Sequence, residues 1–132
     1  MKYNGIKINY KKVKIFIPYE FTDLNTYIEI ERSNKFAGAK CKKLNTEWAI
    51  IGVKKYKEQV KSLKLPLKII YRWHLSNKRK DLDNVAFSKK FINDGLVSSG
   101  CLKNDGQKQI IAFEDIIVYS DKLGVEIELL EV

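Results

Sequence analysis

Between Leu67 and Leu75 the chain alternates without a break. Leu67, Ile69, Tyr71, Trp73 and Leu75 fall on one side of an extended backbone, and Lys68, Ile70, Arg72 and His74 fall on the other. A period of two sustained that long fits a β-strand with one clearly apolar face. Beyond it Lys78-Arg79-Lys80 runs into Asp81-Leu82-Asp83-Asn84, and from there the apolar period lengthens. Leu82, Val85, Ile92 and Leu96 lie on or near one helical stripe, with Phe87 and Phe91 beside it, Asp83 as N-cap and Gly100 as a stop. A helix of roughly four turns is expected there. The strand thus hands the chain to a helix, and a dense block of charge sits at the handover.

The same two periods organise the remainder. Val13, Ile15 and Ile17 alternate with Lys14 and Phe16, after the turn signal Asn4-Gly5 and before Pro18, which predicts a strand near residues 7–17. Asp23 is placed to cap a short helix through Tyr27 and Ile30, and Gly38 weakens any continuous helix beyond it. Leu44, Trp48 and Ile51, then Ala49, Val53, Tyr56 and Val60, recur at helical spacing. That predicts one long amphipathic helix from Lys40 to about Leu63, with Trp48 and Tyr56 in the core. The apolar run Ile110 to Tyr119 carries Glu114-Asp115 in its middle and reads as one bulged strand or two short ones. A turn at Asp121 to Gly124 leads to a last strand through Val125, Ile127 and Leu129. The order predicts an α/β fold, a single small domain over residues 1–132 with a mixed β-sheet and two main helices packed on it.

Charge narrows the choice of partner. The net charge of +9 favours polyanions. Its distribution is uneven: residues 1–80 carry 20 Lys/Arg against 6 Asp/Glu, a balance of +14, whereas residues 81–132 carry 5 against 10, a balance of −5. Residues 24–43 gather Arg32, Lys35, Lys40, Lys42 and Lys43 around Phe36. That segment reads either as a basic arm lying along a DNA backbone or as a solvated helix-loop. Cys41 and Cys101 are isolated and His74 is the one histidine, so a His/Cys zinc site is not expected. None of the seven glycines has phosphate-loop spacing, so no nucleotide cofactor is expected. The early residues lack an apolar leader and no apolar run approaches a membrane span, so a cytoplasmic, non-membrane protein is expected.

Residues two apart on an extended segment point to the same side, so Asp81 and Asp83 can present their oxygens to one small region. Magnesium commonly takes one or two carboxylates with waters and phosphate oxygens. The same acids also serve as a helix cap and a favourable charge at a helix start, which needs no metal. At about 100° per residue, Asp83, Lys90 and Asp94 fall within about 20° of one helical face. Lys90 and Asp94 are also an i,i+4 pair, which reads either as a lysine oriented toward a phosphate or as an ordinary surface ion pair.

The block Lys78-Arg79-Lys80-Asp81-Leu82-Asp83-Asn84, followed by Lys90, Asp94-Gly95-Leu96-Val97, Gly100 and Asp105, resembles the RusA-type Holliday junction resolvases, small endonucleases often carried by phages and prophages. The stretch from Leu24 to Lys40 is similar to longer phage-type members. The resemblance implies a homodimeric, magnesium-dependent enzyme that makes paired symmetric nicks in four-way DNA junctions. It implies Asp81, Asp83 and Asp105 as catalytic, metal-binding acids and Lys90 as the catalytic lysine, with Lys89 the neighbouring choice. Lys78, Arg79, Lys80, Arg32, Lys35 and Lys40 are the DNA-contacting candidates. Two departures stand out. Residue 104 is Asn where many members carry a second acid, and the interval from Asp83 to Asp94 is longer than in the shortest members. A continuous helix of about 16 residues would span roughly 24 Å and separate Asp83 from Asp105, so either the connecting loop folds back or Asp105 completes the site of a second subunit. The readings that compete with a junction nuclease are a non-catalytic branched-DNA-binding module and a nuclease for other branched DNA.

Overall fold

The computed structural model describes residues 11–132 in full and, of residues 1–10, the backbone of two short antiparallel strands, β1 (Lys2–Tyr3) and β2 (Ile6–Lys7). The Asn4-Gly5 turn and residues 8–10 of the expected first strand lie outside the described residues. The chain continues as β3 (Lys12–Ile17), α1 (Leu24–Ser33), α2 (Lys35–Val53), a 3-10 turn (Lys54–Tyr56), α3 (Lys57–Lys61) and β4 (Leu67–Leu75). After β4 come α4 (Leu82–Ala86), α5 (Lys89–Ser98), β5 (Ile110–Tyr119) and β6 (Gly124–Glu131).

Four strands form one sheet in the order β3-β6-β4-β5. β6 runs antiparallel to both β3 and β4, while β5 lies parallel to β4. The parallel pair requires a crossover, and α4 and α5 supply it. The result is the single α/β domain with a mixed sheet. α2 and α5, the two main helices, pack against each other over the inner face of the sheet. There Ile15, Ile17, Leu67, Ile69, Tyr71, Trp73, Val125, Ile127 and Leu129 meet Ala49, Val53, Phe91, Ile92 and Leu96. Among the described residues no helix is long and apolar enough to cross a membrane.

Three local expectations need correction. Gly38 does not interrupt a helix. The break falls at Asn34, whose side chain accepts from the Phe36 and Ala37 amides and so starts α2. Gly38 instead permits contact with α1, because a Cβ there would lie 3.3 Å from the Glu31 Cα. The helix expected from Lys40 to Leu63 starts earlier and breaks at Val53, passing through the 3-10 turn into α3. Of its two apolar stripes only the one with Ala49, Val53 and Val60 is buried, and Trp48 is 41% exposed, with its ring stacked on Tyr19. Tyr56 is half-buried at the rim of the core.

The third correction concerns the helix after the charge block, which is two helices. Across Phe87 and Ser88 the backbone bonds are of the i to i−3 kind, Ser88 N to Val85 O at 3.2 Å, Lys90 N to Phe87 O at 3.2 Å and Phe91 N to Ser88 O at 3.0 Å. The buried Ser88 hydroxyl also donates to Val85 O at 2.9 Å. Such side-chain competition for a carbonyl, together with tighter turns, breaks the helical phase. Neither the face relation between Asp83 and Lys90 nor the separation of Asp83 from Asp105 expected for one straight helix therefore applies. Asp83 is not the N-cap either: it lies in the first turn of α4, and Asp81 holds the cap position.

Candidate active site

The turn carrying Asp81 and Asp83 is held at both ends by the start of α1. Lys80, just before it, pairs with Asp23 at 2.8 Å. Asn84, just after it, accepts from the Asn25 amide at 2.9 Å. Asp23 is the N-cap of α1 and also accepts from the Thr26 amide at 2.8 Å. Burial pushes its carboxyl up, but the hydrogen bonds from Lys80 and Thr26 outweigh burial and hold it below the ordinary carboxylate value. Behind it, Asn45 of α2 accepts from the Thr22 amide at 3.0 Å and donates to the Cys41 carbonyl at 2.8 Å. A chain of polar contacts thus runs from the middle of α2 to the loop before Asp81.

Neither carboxylate of the turn is spent on capping. Asp81 makes no side-chain cap bond at α4, and among the described residues neither Asp81 nor Asp83 has a side-chain hydrogen-bond or ion-pair partner. Both are exposed. Two carboxylates without side-chain partners, on a turn fixed from both sides, are free to accept an external cation.

Asp83 shares an open depression with Leu82, Ala86, Phe87, Lys89 and Asp115. Lys89 reaches across to β5, where its ammonium lies 2.5 Å from Asp115 Oδ2, and its side chain is only 19% exposed. The other carboxylate oxygen, Asp115 Oδ1, accepts from Trp73 Nε1 at 3.0 Å. The ammonium also sits 5.3 Å from the Tyr71 ring centroid and 4.8 Å from that of Phe113. Burial pushes the Tyr71 hydroxyl far above its ordinary value, with Asp115 and Asp105 adding in the same direction, and that hydroxyl donates to Asn93 of α5.

Lys90 takes a different direction. It is 59% exposed and pairs with Asp94 at 3.2 Å one turn along α5. Asp94 and Asp105 face a second depression, between α2 and α5, together with Lys42, Lys43 and Glu47. The structure therefore brings Asp83 together with Lys89 and Asp115, and Asp105 together with Asp94. Among the described residues no three His, Cys, Asp or Glu side chains gather to hold a metal ion.

The cations named for DNA contact divide in the same way. Lys80 is engaged by Asp23, Lys78 lies 5.7 Å from the Tyr119 ring centroid, and Arg79 is exposed. Arg32 lies in the last turn of α1, while Lys35 and Lys40 are exposed near the start of α2. Phe36, between the last two, is 75% exposed. Sequence patterning missed Asp115 and the Asp23 and Asn84 contacts. A carboxylate pair inside the apolar run of β5 was the one available signal for Asp115. No family model matches the chain, and no match to it is found among curated proteins.

Proposed function

We propose that the chain is a magnesium-dependent endonuclease for branched DNA, acting on four-way junctions as a homodimer. The observation that carries this reading is the pair of uncommitted carboxylates, Asp81 and Asp83, on a doubly anchored turn, with Lys89 lining the depression that Asp83 enters. The RusA-like motif adds the substrate class and the two-fold assembly. Two carboxylates with the balance of ligands left to water and phosphate fit magnesium's habit, so Asp81 and Asp83 would hold the ion. Magnesium bound there supplies Lewis acidity toward a phosphodiester and a more acidic water.

The protein's own groups account for the remaining requirements. The Lys89 ammonium offers positive charge where negative charge grows on phosphate oxygens in the transition state. Lys78 and Arg79 at the mouth of the turn, and Arg32, Lys35 and Lys40 along α1 and α2, hold flanking phosphates, which makes binding strongly salt-dependent. A two-fold dimer matches the symmetry of a four-way junction and rationalises paired nicks. Asp105 lines a different depression from Asp83, beside Asp94. Its role in this reading is to complete the site of the second subunit.

Magnesium titration against a labelled synthetic four-way junction, with flap and linear duplex controls, tests the reading. The expected result is paired nicking of the junction. An Asp83→Asn variant is expected to bind the junction as the wild type does while its nicking falls on the order of 10³-fold. Binding without nicking at any magnesium concentration would instead identify a non-catalytic module, and full activity of Asp83→Asn would remove Asp83 from the site.

A further inference from the structure

Lys89 and Asp115 are distant in sequence, on α5 and β5, yet they form a largely enclosed ion pair that lines the Asp83 depression. Both oxygens of Asp115 are used: Oδ2 takes the ammonium at 2.5 Å and Oδ1 takes the Trp73 indole N–H at 3.0 Å. A carboxylate held at both oxygens cannot swing, so it fixes the ammonium in turn. The Tyr71 and Phe113 rings restrict it on other sides, at 5.3 Å and 4.8 Å from their centroids. Tyr71 is itself locked, its ring stacked on Trp73 at 5.5 Å and its hydroxyl bonded to Asn93.

Stability is a poor reason for such an arrangement. Withdrawing a lysine and an aspartate from water costs about as much as their attraction returns, and apolar residues of similar size serve a core equally well. Placing the pair beside the unpaired Asp83 makes sense if the position of the ammonium matters.

We propose that Asp115 is a positioning residue which, with the Trp73 indole, holds the Lys89 ammonium at the edge of the Asp83 depression for the phosphate that enters there. This rests on the nuclease reading above and adds to it a carboxylate that acts through the lysine and does not touch substrate. The carboxylate sets where the lysine's charge stands. Displacing a reacting group by about 1 Å costs roughly 10²-fold in rate.

Two measurements test it. In single-turnover nicking of the four-way junction, Asp115→Asn is expected to lower the rate about 10²-fold with junction affinity unchanged. In a Lys89→Met background the same substitution is expected to change the rate by less than about twofold, because its effect passes through the missing ammonium. Equal losses in both backgrounds would overturn the proposal. Trp73→Phe, which keeps the ring stack and removes the donor, is expected to show a smaller loss of the same kind, and it serves if Asp115→Asn fails to fold.

The second measurement needs no DNA. Competitive acetylation of the full chain, mapped by mass spectrometry with Lys90 as internal reference, is expected to modify Lys89 several-fold faster in Asp115→Asn and less so in Trp73→Phe. Unchanged labelling of Lys89 in both variants would overturn the proposal whether or not the protein nicks DNA. If the wild type nicks no branched DNA, the nuclease reading fails on its own, and labelling still decides whether Asp115 holds Lys89.

Discussion

Two neighbouring lysines on α5 end in different surroundings, and the contrast separates two faces of the helix. Lys89 is half-buried and pairs across the fold with Asp115, its ammonium boxed by aromatic rings and opening on the depression that Asp83 lines. Lys90 is exposed and pairs within its own helix with Asp94, which faces the second depression with Asp105, Lys42 and Lys43. One pair needs the tertiary fold and the other needs only helical spacing. A positioned charge is built from the first kind of contact, since an exposed i,i+4 pair contributes a few tenths of a kcal/mol and leaves both side chains mobile.

The largest expected effect on this contrast comes from removing each lysine in turn. Lys89→Met should reduce single-turnover junction nicking about 10²-fold, whereas Lys90→Met should stay within about threefold of wild type, both read against unchanged junction affinity. The reverse order of effects would break the distinction between the faces and return the role to Lys90.

A mixing experiment sharpens the second face. Subunits carrying Asp81→Asn and subunits carrying Asp105→Asn are each expected to be inactive alone. In a mixed dimer one composite site is then intact, and about half of the wild-type sites are expected to regain nicking of one strand. A mixed dimer as inactive as its parents would show that Asp105 does not serve the partner's site.

The smallest effect concerns the clamp behind the first face. Asp23→Asn keeps a good N-cap but loses the charge opposite Lys80, and should lower stability at neutral pH by a few tenths to about 1 kcal/mol, because Lys80 is more than a third exposed. The wild-type carboxyl is held below its ordinary value of 3.8. A depressed carboxyl contributes stability fully above its unfolded-state value and loses it as pH falls through the folded-state value. The difference between wild type and variant should therefore persist at pH 6 and vanish well below 3.8 in denaturant titrations. A difference constant down to pH 2 would mean that the Lys80 pairing contributes nothing.

Much of the architecture was legible before the fold. The alternation of Leu67 to Leu75 became β4, the run Ile110 to Tyr119 became one strand, and Gly100, at a φ of 83°, follows the end of α5 as a stop should. Asp23 caps α1 as its position suggested. Two features were not legible. The break at Phe87 and Ser88 arises from a buried hydroxyl competing for a backbone carbonyl, and apolar periodicity does not register that competition. Leu44, Trp48 and Ile51 are exposed because α2 carries two apolar stripes and α5, packed closely at Gly95, covers the other one. A Cβ at Gly95 would stand 2.6 Å from the Ala49 side chain, so α5 approaches α2 closely there and buries the stripe that holds Ala49.

By itself the sequence determined the main strands, the mixed α/β order and the placing of Asp81 and Asp83 where β4 gives way to a helix, because strand and helix periods are local properties of the chain. Only the tertiary structure decided which lysine stands with Asp83, that Asp115 and Trp73 hold it, and that Asp23 and Asn25 clamp the acidic turn. Those contacts join α5 to β5, and the loop after β4 to α1, across 26 and 57 residues respectively. Nothing in local spacing encodes partners that far apart. They meet because the sheet sets β5 beside β4 and the packed core brings the helices over both.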